Sequence, residues 1–158
     1  LLIGSPGTIH DRTGEPLAIN GVQRKTMSTR LASEHIFELP ATAAAAGMAR
    51  RELAAMPGIA GEQAYKALLM TSELIAVYVS QIEPAPQATL RLSIRVTPGR
   101  LRIEVGGQAP DVSPDELLHS HETPSLGGFG LQIVERMADA WGIEGARETM
   151  IWFELARA

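Results

Sequence analysis

Apolar and polar positions alternate most cleanly in the middle of the chain. In "TLRLSIRV", Leu90, Leu92, Ile94 and Val96 fall on one side and Arg91, Ser93 and Arg95 on the other. That period of two predicts a strand with one buried face. "RLRIEV" repeats the pattern with Leu101, Ile103 and Val105. Pro98-Gly99 between the two suits a type II turn, so the pair reads as a hairpin with one wet face. "HIFELP", closed by Pro40, reads as a short strand at the start of the domain, and "WGIEG" and "TMIWFELA" as two more at its end.

Between these lie segments of helical character. "ATAAAAGMARRELAAMPG" is rich in strong helix formers and stops at Pro57-Gly58. A second helix is predicted over about residues 61 to 82, ending before "EPAPQ". A third spans about 130 to 140, with Leu131, Val134, Met137 and Ala138 on one face. "GGQAPDVSPDELLHSHETPSLGGFG" is a long irregular segment with at most one helical turn, at "SPDELL". Residues 1 to 33 sustain neither period and read as a flexible N-terminal extension ahead of a domain at 34 to 158. The order β-α-α-β-β-loop-α-β-β predicts an α+β fold. Its architecture is a two-layer α/β sandwich, with a mixed, mainly antiparallel sheet and helices on one face.

Composition narrows the field. With 158 residues, 45% hydrophobic and 20% charged, the chain has the make-up of one ordinary globular domain. A net charge of −4 without a Lys/Arg run argues against nucleic acid as partner. The absence of cysteine excludes disulfides and thiolate metal sites. No apolar run reaches membrane-spanning length, because Glu73 interrupts the best candidate. A cytoplasmic location fits these features. The chain begins with Leu rather than Met, which is compatible with its being a piece of a longer protein.

Glu73 is the first residue that asks for chemistry. It is the one acid in "TSELIAVYVS", on a helix that is apolar on nearly every side. A core disfavours an unpaired carboxylate, so Glu73 is either part of a site or an acid held by a partner such as Ser, Thr or Arg. The Gly127, Gly128 and Gly130 cluster before the third helix is the second candidate. Free N–H groups at such a turn form a natural anion cradle, and the bland reading is a turn that starts a helix. In "HSHE", His119, His121 and Glu122 have metal-ligand chemistry, but in a Ser/Thr/Pro loop they read more simply as solvated, and no metal is assigned. Arg50, Arg51 and Glu52 form a charged patch, either a solvated face or a partner contact. Trp141 and Trp152 read as core aromatics between the last helix and the sheet.

Three stretches together resemble a known family. "LLMTSELIAVYVSQ", "RLRIEVGGQAP" and "GGFGLQIVERMADAWGIE" followed by "MIWFELA" are similar to the motifs of the GHKL (Bergerat) ATP-binding domain. That domain is shared by histidine kinases, gyrase B and MutL. The branch most resembled is the bacterial anti-sigma-factor serine kinases, and the resemblance spans roughly residues 35 to 156. It implies a histidine-kinase-like ATPase fold. Glu73 stands at the family's general-base position, and Gly127, Gly128, Gly130 and Leu131 stand at its phosphate turn. The resemblance also marks departures. The Mg²⁺-binding Asn position holds Val77, and the small residue after it is Tyr78. The adenine-reading Asp position holds Gly107, and the glycine after it is Ala109. Gln81 and Gln108 are the nearest substitute ligands.

The expectation is therefore a regulatory protein with impaired or lost ATP and Mg²⁺ binding. It would act by holding a protein partner, a sigma factor or an anti-sigma antagonist, without nucleic acid or membrane. Family members commonly dimerise, and the strand "HIFELP" and the hairpin edges are candidate pairing edges. The alternative is an active ATP-dependent serine/threonine kinase using Glu73 and substitute ligands.

Overall fold

The computed structural model describes residues 23–29, 32–82, 85, 87–108, 115–116, 129–145 and 148–157. They form six strands and three main helices in two layers, an α+β sandwich. The strands are β1 (Gln23–Thr29), β2 (Ala32–Pro40), β3 (Thr89–Val96), β4 (Arg100–Gln108), β5 (Ala140–Glu144) and β6 (Glu148–Ala156). The helices are α1 (Ala44–Ala54), α2 (Gly61–Ile82) and α3 (Gly130–Met137). The sheet runs β1-β2-β3-β4-β6-β5, and every described pairing is antiparallel, so the parallel component of the expected mixed sheet is missing here.

Alternation sets the faces of the sheet. Phe37 and Leu39, Leu90, Leu92 and Ile94, Leu101, Ile103 and Val105, and Ile151, Phe153 and Leu155 all point to the helices and are buried. On α1 the buried stripe is Ala45, Ala49 and Leu53, small residues that let the helix lie close. α2 carries Ala67, Met70, Leu74, Ile75, Val77 and Tyr78 into the same core. It is the central helix, touching α1, α3, β4 and β6. Arg50 Nη1 donates to Ser72 Oγ at 3.1 Å and ties α1 to it.

The other face of the sheet carries paired charges. Arg95 meets Glu34 at 2.8 Å, and Arg100 meets Glu154 at 2.6 Å. Arg102 bonds both Glu104 (2.6 Å) and Glu154 (3.1 Å), with its guanidinium 4.0 Å from the centre of the Trp152 ring. Trp152 therefore belongs to the open face and not to the helix-side core expected for it. Its Nε1 donates to Glu144 Oε1 at 3.0 Å. Trp141 keeps the expected place, half-buried against the core.

Three further expectations need correcting. The sheet begins earlier than "HIFELP": β1 lies inside the stretch read as an extension and pairs with β2 from Gln23↔Glu38 to Thr29↔Ala32. β1 has no run of alternating apolar residues, so its sequence gives no strand signal. As a result β2 is covered on both sides and is no pairing edge; β1 and β5 are the outer strands. At the β3–β4 turn, Thr97 N donates to Arg100 O at 2.9 Å, but Gly99 does not take the positive φ that a type II turn requires.

Candidate functional site

The C-terminal half of α2 is where the sequence motifs meet. Glu73 and Val77 are one turn apart on this helix, and α3 begins against them. A Cβ added to Gly130 would lie 2.9 Å from Val77 Cγ2 and 3.2 Å from Glu73 Oε2. Only a residue without a side chain lets the start of α3 come this close. The half-buried Glu73 carboxylate is thereby placed beside the N-terminus of α3, where Phe129 supplies no side-chain cap. A negative charge there is favoured by the positive end of the helix dipole. Among the described residues, no hydrogen bond or ion pair links that carboxylate to another side chain.

Val77 is 4% exposed and belongs to the core. Leu131 is 3% exposed, and its side chain packs inward with the core. Gly127, Gly128 and Ala109 lie outside the described residues, as do His119, His121 and Glu122 and the side chains of Gln81 and Gln108.

The second meeting point is one residue further along α2. β4 does not turn after Val105 but runs on to Gln108, with Gly106 paired to Met150 and Gly107 to Thr149. The Gly107 side of the strand faces the helices. A Cβ at Gly107 would run into Tyr78 Oη, and would lie 3.0 Å from Thr89 O and 3.2 Å from Tyr78 Cζ. Tyr78 is fully buried and its ring fills this space. Burial pushes the phenol above its ordinary pKa, and the Glu148 carboxylate adds to the shift. Sequence reading marked Tyr78 as standing where the resembled family has a small residue but did not connect it to Gly107. The link joins residues on different elements, and a local motif does not display it.

On the open side of the same sheet end lies a cleft of about 350 Å³, lined by Glu38, Thr89, Arg91, Gly107 and Glu148 among others. Arg91 Nη2 donates to Glu148 Oε2 at 2.7 Å across it. Among the described residues, no group of three or more His, Asp or Glu side chains is placed to hold a metal ion, and no helix is long and apolar enough to cross a membrane.

Fold and site together define a two-layer α+β domain whose Glu73, Val77, Tyr78, Gly107 and Gly130 converge on one stretch of α2. No protein-family model matches the chain, and no curated protein does.

Proposed function

We propose that this chain is a regulatory protein of the kind that resembles bacterial anti-sigma-factor kinases, acting by contact with a protein partner and with nucleotide binding impaired or lost. The partner class is a sigma factor or an anti-sigma antagonist, and a second copy of the chain is a further partner the resemblance implies. A cytoplasmic location belongs to the same reading.

One observation carries the proposal. Two segments far from α2 in sequence, the end of β4 and the start of α3, meet it, and the positions that the resemblance assigns to the Mg²⁺ ligand and the adenine reader, Val77 and Gly107, carry no polar side chain. Val77, against Gly130, offers no oxygen to a Mg²⁺ ion, which takes oxygen ligands. Gly107 offers no acceptor to a base, and the room in front of it belongs to Tyr78. A missing partner for a buried base edge costs about 1–3 kcal/mol. Losing the metal that neutralises phosphate charge removes several kcal/mol more from a phosphoryl-transfer transition state.

Calorimetric titration with ATP, with and without Mg²⁺, tests this. The expected result is no saturable heat at millimolar nucleotide in either condition. Mg²⁺-dependent binding in the low micromolar range, with phosphoryl transfer to a serine that Glu73→Gln abolishes, would replace the proposal with the active kinase.

A further inference from the structure

We propose that the cleft at the end of the open sheet face binds a small organic cation, whose guanidinium or ammonium head sits on the carboxylate of Glu38. The charged walls of the cleft, Glu38, Arg91 and Glu148, stand on the face of the sheet turned away from α2, so the inference is independent of the nucleotide reading.

The site follows from where Arg91 points. In the β2–β3 register Arg91 stands directly opposite Glu38, the usual placement of a cross-strand ion pair. Arg91 turns the other way. On its β4 side it stands opposite Gly106, and Gly106 in turn stands opposite Met150 on β6. With no side chain at Gly106, the arginine reaches over β4 to Met150 Sδ at 3.4 Å and to Glu148 Oε2 at 2.7 Å. A Cβ at Gly106 would lie 2.8 Å from Met150 Cγ, so the glycine makes room for the methionine as well.

Glu38 is left over. It is half-buried, and its carboxylate has no hydrogen bond or ion pair among the described residues. Its neighbours in the cleft include the Gln87 amide and the Thr89 hydroxyl, which have no partner there either. Two carboxylates against one guanidinium leave these walls with an excess of negative charge. A free carboxylate beside an amide oxygen and a hydroxyl is a set of acceptors, and the guest that matches it is a cation rich in donors. A guanidinium presents several N–H groups in one plane and grips a carboxylate bidentately. The space, about 350 Å³, is of a size that holds a small molecule.

The test is amide NMR of the full chain titrated with n-butylguanidinium. Saturable shifts are expected at Glu38, Gln87, Thr89 and Arg91 in wild type, with affinity reduced about tenfold or more in Glu38→Gln. Glu38 holds no other group in place, so that variant is expected to fold as wild type does. Arg91→Gln removes the like charge and frees Glu148, and should bind the probe more tightly than wild type. Tetramethylammonium has the same charge and no N–H group, and should not bind saturably. The proposal is overturned by any of four results: no saturable shift with n-butylguanidinium, equal affinity in Glu38→Gln, no gain in Arg91→Gln, or equal binding of tetramethylammonium. A blocked Ala-Arg-Ala peptide then separates the two sources of such a head. Affinity like that of the free cation assigns the cleft to an arginine of a protein, and weaker affinity assigns it to a small molecule.

Discussion

At Thr71, two residues before Glu73, the hydroxyl is buried and finds no hydrogen-bond partner among the described residues. A buried hydroxyl without a partner costs about 1–3 kcal/mol, and valine has nearly its shape. Thr71→Val is therefore expected to stabilise the fold by about 1 kcal/mol or more, read as a higher urea midpoint at unchanged slope. Val77 is the opposite case. An Asn there would supply the residue type that the resemblance places at a metal ligand but bury an amide in the core, at a position 4% exposed. Val77→Asn is expected to lose about 1–3 kcal/mol of stability and gain no Mg²⁺-dependent ATP binding, because Tyr78 still fills the space in front of Gly107. Calorimetry on the folded variant checks it; micromolar binding would count against the part given to Tyr78 and Gly107.

Among the elements, β1 matters more than its sequence suggests. It covers the hydrogen-bonding edge of β2 along seven paired positions. A chain truncated to begin at residue 32 leaves that edge bare, and a bare strand of nine residues is a template for pairing with another copy. Truncation is expected to convert the protein to concentration-dependent oligomers by light scattering, with the full chain as the reference. The contrast also shows where sequence reading works. β3 and α2 were legible, because Leu90, Leu92 and Ile94 alternate and α2 is a long apolar stretch bounded by Pro57-Gly58 and the Pro-rich "EPAPQ". β1 was not legible, because "QRKTMST" is held by backbone pairing with β2 and carries no buried-face pattern. Trp152 was misplaced for a related reason. A tryptophan in an alternating strand sits on the face its register dictates, and there Arg102 covers the ring. Of the site, Glu73, Val77 and Gly107 could each be picked out singly, but their contacts with Gly130 and Tyr78 are tertiary.

For the molecule as a whole, pH acts through a residue outside the site. His35, on β2, has its pKa lowered by burial, so the fold favours the neutral ring. In the unfolded chain the ring protonates at about 6.5, the ordinary value of a histidine. The unfolded state thus binds more protons below that value, and stability falls as pH drops from there toward the lowered folded value. His35 contributes in full above about pH 6.5 and less with each step below it. Urea unfolding followed from about pH 8 down to about pH 5 should show this decline, and His35→Gln should flatten it. An equally steep decline in the variant would assign the effect to other groups.

The fit between Tyr78 and Gly107 also constrains the order in which this protein could change. An aspartate arriving first at 107 collides with the phenol, and an alanine arriving first at 78 leaves a hole in the core. Each single step passes through a less stable chain. The present pair acts as a latch on the sequence: the two positions are expected to change together and not one residue at a time.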